Sequence, residues 1–161
     1  MGSYTNLDAL HLKYGPDKAT ATKAGEYVTT GALREIEVRI DLTTLTEVEV
    51  IQSDALFFPK MRIEEVEVVT HTAAVTGTAV DIGLVRTDRT TAIDADGFVA
   101  ALITASMNAA GEKNVLRIGS TSVGALVGTT TTNPGYITAS RTDSTAFTAG
   151  VIYVRIRYYA A

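Results

Sequence analysis

The chain of 161 residues has no cysteine, no tryptophan, two histidines and three prolines. Without Cys there can be no disulfide, thiolate nucleophile or thiolate-bound metal, so stability must come from packing or from partners. The net charge of −4 is spread over residues of both signs, with none of the basic stripe that a nucleic-acid binder presents. No apolar run reaches the ~18 residues needed to span a bilayer. The opening MGSYTNLDAL lacks a signal peptide's charged region and apolar core, so a soluble, unprocessed chain is expected. Met1-Gly2 begins a myristoylation motif, but that motif needs Ser or Thr at the sixth position and the chain has Asn6.

Thr and Ala are the commonest residues and Gly is frequent, a composition suited to strands joined by small-residue turns. The pattern from Ile63 to Leu84 bears this out. Val66 and Val68 alternate with Glu65 and Glu67, and Val80, Ile82 and Leu84 alternate with Ala79, Asp81 and Gly83 around a small connection at Thr76-Gly77. Period-2 alternation predicts half-buried strands, and the pair reads as a β-hairpin. The apolar phase slips from odd (Met61, Ile63) to even (Val66, Val68), which predicts a β-bulge at Glu64-Glu65.

Leu33 to Leu45 is the clearest strand, with Ile36, Val38, Ile40 and Leu42 on one face and Glu35, Glu37, Arg39 and Asp41 on the other. A shorter one follows at Glu47–Ile51, with Val48 and Val50 expected inward. Phe57-Phe58-Pro59 then breaks the alternation, so one aromatic is expected to cap the core and the other to meet a partner. Residues 85–97 read as a polar loop. The stretch 98–111, FVAALITASMNAAG, is the one place for a short helix, capped by Asp94 or Asp96 and ended by Gly111. Beyond Val115, apolar runs punctuated by Gly every ten residues or so indicate an all-β sandwich or barrel. The last strand is two-sided: Ile152, Val154, Ile156 and Tyr158 on one face, Tyr153, Arg155, Arg157 and Tyr159 on the other. Residues 1–32 have no sustained period and read as an extended N-terminal arm preceding a β-sandwich domain at 33–161. Leu7, Leu10, Leu12 and Tyr14 suggest an arm that orders against a neighbouring subunit, since a solvated tail gains nothing from apolar anchors.

No chemistry can be assembled from these residues. His11 and His71 stand in no motif with a Ser or a carboxylate, and His71 reads as an ordinary polar residue on a wet strand face. The DADG sequence at Asp94–Gly97 lacks the further oxygen ligands and closing Glu of a calcium loop. Gly119, Gly124 and Gly128 fit no phosphate-binding pattern and read as turn glycines. No catalytic, cofactor or metal residue is assigned, no cofactor is expected, and the chain is expected not to be an enzyme. Tyr and Arg are the types enriched where protein surfaces meet, which singles out the Tyr153, Arg155, Arg157, Tyr159 face.

The pattern from Val66 to Asp96, with TAVDIGLVRTD and IDADGFVAAL, together with the closing TAFTAGVIYVRIRYY, resembles the small β-sandwich virion proteins of tailed bacteriophages, especially capsid decoration (cement) proteins. That resemblance implies a jelly-roll-like antiparallel sandwich with an extended N-terminal arm, and a homotrimer. It further implies a seat on the outer capsid surface of the virion, after synthesis in the host cytoplasm. The partner would be the major capsid protein, with no nucleic acid, membrane or small-molecule substrate. The expected partner-binding residues are Leu7, Leu10, Leu12 and Tyr14 in the arm and Tyr153, Arg155, Arg157 and Tyr159 in the last strand. The alternative is a receptor- or carbohydrate-binding β-sandwich module of a phage fibre or tail.

Overall fold

The computed structural model describes residues 33–57 and 60–160. The N-terminal residues 1–32, with Leu7, Leu10, Leu12, Tyr14 and His11, lie outside the described residues, as does Phe58. The described chain forms eight strands: β1 (Arg34–Asp41), β2 (Val50–Phe57), β3 (Met61–Thr76), β4 (Ala79–Arg86), β5 (Ala92–Ile103), β6 (Lys113–Leu116), β7 (Gly135–Arg141) and β8 (Phe147–Ala160). They make two four-stranded sheets, sheet A in the order β1-β8-β3-β6 and sheet B in the order β2-β7-β4-β5.

The pairing explains the order. β1 pairs with β8, β2 with β7, β3 with β6 and β4 with β5, all antiparallel. The chain is therefore one long hairpin with its tip at the β4–β5 turn, rolled up so that β3 also meets β8 and β4 also meets β7. This is the connectivity of the eight-strand jelly roll, a double-sheet arrangement. The fold is an all-β sandwich.

The core follows from alternation. Val38, Ile40, Val66, Val68, Ile152, Val154 and Ile156 from sheet A meet Val80, Ile82, Leu84, Ile137 and Ala139 from sheet B, all buried. Each large side chain fully withdrawn from water contributes about 1.5–3 kcal/mol. Phe57 fastens the two layers at one end. Its ring lies 5.7 Å from Phe98 of its own sheet and 5.1 Å from Tyr158 of the facing one, tilted as aromatic pairs prefer. Phe57 is thus the aromatic that caps the core.

Four expectations are corrected. The hairpin from Ile63 to Leu84 is an arch, because β3 belongs to sheet A and β4 to sheet B. Both strands bury one face in the same core from opposite sides, and alternation alone does not separate that case from direct pairing. The turn is where expected, with Thr76 and Gly77 at φ of 56° and 65°. The helix at 98–111 is instead the second half of β5 followed by a single 3-10 turn, Thr104–Ser106. Pairing with β4 and burial of Phe98, Val99 and Leu102 override the helical preference of its alanines. Asp94 and Asp96 accordingly lie within a strand and cap nothing. The polar loop at 85–97 shrinks to a turn, since β4 runs to Arg86 and β5 starts at Ala92; Asp88 accepts the Thr90 and Thr91 amides there, both at 2.9 Å. Finally, Val48 is 74% exposed and Val50 only half-buried, because the chain between β1 and β2 must pass from one sheet to the other there.

The bulge, by contrast, stands where the phase slip puts it. Ile63 faces Tyr158 and Glu65 faces Arg157, leaving Glu64 as the extra residue. It keeps Ile63 and Val66 both in the core while moving Glu65 to the outer face.

Candidate functional site

The bulge helps build an ordered polar surface on the outer face of sheet A. In register across the outer face of sheet A stand Glu35 on β1, Arg157 on β8 and Glu65 on β3, with Glu37, Arg155 and Glu67 forming the next row. Arg157 Nε donates to Glu35 at 2.8 Å and its Nη1 donates to Glu65. Arg155 Nε donates to Glu37 at 2.6 Å and its Nη1 to Glu67 at 3.0 Å. Arg117, just beyond β6, closes the first row through Glu65 at 2.6 and 2.7 Å. Opposite charges directly across a ladder add about 0.2–1 kcal/mol per pair, and Arg forks suit carboxylates. The two central glutamates are buried beneath the guanidiniums. Burial is the strongest influence on Glu65 and opposes its ionisation. The hydrogen bonds from Arg117 and Arg157, together with the charges of both guanidiniums, outweigh it and hold the carboxyl below the usual range.

Along the same face, Tyr153 meets the exposed His71 edge-on, with ring centroids 5.6 Å apart. The four strand residues singled out from sequence, Tyr153, Arg155, Arg157 and Tyr159, are therefore together on one half-exposed surface. Their arginines are held by glutamates of the same chain. Alternation located the arginines; their partners required the strand order, which only the fold supplies.

The outer face of sheet B is built differently. Five steps along β5, from Asp94 to Val99, oppose two along β4, from Leu84 to Ile82. The surplus residues fold over Gly83, where an added Cβ would lie 2.1 Å from the Asp94 carbonyl and 2.3 Å from Ala95 backbone atoms. This bulge brings Asp94 and Asp96 close to each other, with Asp96 near enough for its charge to act on Asp81. Burial raises the Asp94 carboxyl above its ordinary range, helped by a hydrogen bond and charge from Asp96 and by the charge of Glu49. Burial likewise raises Asp81, against its hydrogen bond from the Ala101 amide at 2.7 Å, with the charge of Asp96 adding to the rise. Thr138, buried on this face, donates to Glu49 at 3.2 Å. The carboxylates of sheet B thus crowd one another, whereas Glu35, Glu37, Glu65 and Glu67 of sheet A are each matched by a guanidinium.

Among the described residues no group of three or more His, Cys, Asp or Glu side chains is placed to hold a metal ion. No helix among them is long and apolar enough to cross a membrane. Gly119 and Gly128 sit at φ of 87° and 83°, the left-handed turns that glycine favours. Gly124 packs against the sheet B bulge, an added Cβ falling 2.2 Å from the Asp96 carbonyl.

No protein-family model matches this chain, and no curated protein matches it. A solved structure titled "Capsid of Ralstonia phage GP4" contains a chain of similar fold. It is 13% identical, and the match covers 94% of this chain and 92% of that one with a TM-score of 0.55. At that identity the likeness is one of fold, and it extends over nearly the whole of both chains.

Proposed function

We propose that the chain is a non-enzymatic structural protein of a bacteriophage virion. In this reading it binds the outer surface of the shell and stabilises it by bridging subunits, as a decoration protein does. The observation that carries the reading is the near full-length likeness to a chain of a phage capsid structure. Fold alone does not fix function, but the surfaces are in keeping with a binding role. The described residues present a long, charge-matched sheet face bordered by Tyr153 and Tyr159. Many copies on one shell would act together, each weak contact strengthened by its neighbours.

The contact residues in this proposal are Leu7, Leu10, Leu12 and Tyr14 in the N-terminal arm and Tyr153, Arg155, Arg157 and Tyr159 on sheet A. The major capsid protein is the partner and a trimer the bound form. The test is add-back to particles lacking the chain, read by co-sedimentation and electron microscopy. Wild-type protein is expected to decorate the outer surface, and Tyr153→Ala/Tyr159→Ala or deletion of residues 1–32 to lower occupancy several-fold. Absence of wild-type binding, or recovery of the chain only inside particles or on tails, overturns the proposal.

A further inference from the structure

Among the described strands no pairing joins the two sheets at the β5–β6 edge of the sandwich. Sheet A ends in β6, a four-residue strand that pairs with β3 alone, and sheet B ends in β5. Residues 122–126 run along part of β5, through bonds such as Ala100 N–H to Ser122 O at 2.9 Å and Leu126 N–H to Gly97 O at 2.8 Å. Beyond them β5 and β6 diverge around a cleft of about 440 Å³. Ala101, Leu102, Ile103, Asn114, Leu116 and Ser122 are among the residues that line it, and the lining is mainly apolar. Leu102 and Leu116 belong to the core, so the cleft opens onto the hydrophobic interior. Ile103 at its rim is 52% exposed, and on the outer face of β6 the neighbouring Val115 is 43% exposed. An apolar cleft beside an unpaired strand edge suits an extended segment that brings both side chains and backbone donors.

Its wall is held in place before anything binds. Ala101 and Ser122 both have positive φ, 51° and 63°, a conformation that non-glycine residues keep only where neighbours enforce it. The Asp81 carboxylate fixes the Ala101 amide at 2.7 Å, and Ser122 Oγ donates to the Ala101 carbonyl at 3.2 Å. Asn114 donates to the Ser106 carbonyl at 2.6 Å, tying β6 to the turn after β5.

We propose that the occupant of this cleft is the N-terminal segment of this same chain, with Leu10, Leu12 and Tyr14 set against Leu102, Ile103 and Leu116. These three residues are spaced by two, so an extended segment turns them to one side. The reach is sufficient. Residue 33 enters β1, at the opposite edge of sheet A from β6, about 15 Å away at ~4.8 Å per strand. The 19 residues from Tyr14 to Leu33 extend to about 60 Å. The segment therefore reaches the cleft of its own molecule or of an adjacent copy. With Leu10, Leu12 and Tyr14 seated in the cleft, Leu7 and the sheet A face are left to meet the shell; the inference deepens the bridging role and rests on it only for the presence of neighbouring copies.

The natural absence of cysteine makes the test direct. Leu10→Cys is combined with Ile103→Cys and, as a comparison, with Val48→Cys, an exposed position between β1 and β2. Under mild oxidation the 10–103 pair is expected to cross-link at least fivefold faster. A dilution series then assigns the link to one chain or to two, and either result supports the seat. Equal rates, or no 10–103 product, overturn it. A nitroxide at Thr5→Cys gives a second readout that leaves the docking residues intact. The Ile103 and Val115 methyl signals are expected to broaden more than that of Val48, and equal broadening also overturns the seat. Should deletion of residues 1–32 reduce shell occupancy while cross-linking stays at the comparison rate, the seat falls and the shell reading stands. Cross-linking by a chain that binds no shell gives the reverse.

Discussion

The outer faces of the two sheets carry carboxylates in similar number and treat them in opposite ways. On sheet A, Glu35, Glu37, Glu65 and Glu67 are each within 3.0 Å of a guanidinium. On sheet B, Asp81, Asp94, Asp96 and Glu49 act chiefly on one another and on backbone groups. The difference follows from regularity. Sheet A keeps its register across β1, β8 and β3 over the stretch of β3 from Glu65 to Thr70, so side chains of fixed type meet in rows there, and its other shifts lie at Glu64 and beyond Thr70. In sheet B, β5 carries surplus residues that fold back over β4, and position is decided by backbone contact more than by charge. One face is thus held by side-chain pairing and the other by close backbone packing, and each should fail to a different substitution.

The sharpest test of that contrast is Gly83→Ala. The added methyl would meet Asp94 and Ala95 backbone atoms at 2.1–2.3 Å, and backbone cannot move aside as a flexible side chain can. Overpacking of this kind costs about 1–3 kcal/mol and at times more; roughly 3 kcal/mol is expected here. Chemical denaturation measures it. A loss below about 0.5 kcal/mol would mean that the β5 bulge does not rest on β4.

Next in size is Glu65→Gln on sheet A, which keeps the shape and removes the charge. Hydrogen bonds to charged groups contribute about 1.5–3 kcal/mol, and Arg117 is largely exposed and able to rehydrate. The expected loss at pH 7 is about 1–2 kcal/mol. The same substitution at the exposed, unpaired-in-register Glu64 is expected to cost almost nothing, within the roughly ±0.5 kcal/mol of ordinary surface changes.

What the amino-acid order discloses divides along the same line. The Glu64 bulge and the two faces of β8 are legible in advance, because a regular sheet writes its period into the sequence. That one of Phe57 and Phe58 caps the core is legible too, since two adjacent aromatics cannot share a strand face; which of the two does so is not. The placing of β3 and β4 in different sheets is not, because an arch and a hairpin share one alternation. Nor is β5, whose Ala-Ala-Leu stretch favours a helix until β4 pairs with it. The glutamate partners of Arg155 and Arg157 come from strands some 90 to 120 residues away, a proximity that only topology creates. The cleft between β5 and β6 is likewise invisible along the chain, being a product of two sheet edges.

The smallest effect separates the faces by sign. Glu65 has a lowered carboxyl in the folded state, so its contribution is present above the ordinary glutamate value and is lost as pH falls through the folded one. The penalty of Glu65→Gln should therefore shrink between pH 7 and pH 3. Asp94 has a raised carboxyl, so its contribution is present below the ordinary aspartate value and is lost as pH rises through the folded one. Asp94→Asn copies the neutral form, and its effect relative to wild type should become more favourable from pH 4 to pH 7. The change is on the order of 0.5 kcal/mol, the scale of partly solvated charge interactions. Denaturation midpoints of both variants across pH 3–7, each against wild type, check it. Opposite slopes uphold a matched face and a crowded one. Parallel slopes would mean that Asp94 has a cationic partner and that the two faces treat their carboxylates alike.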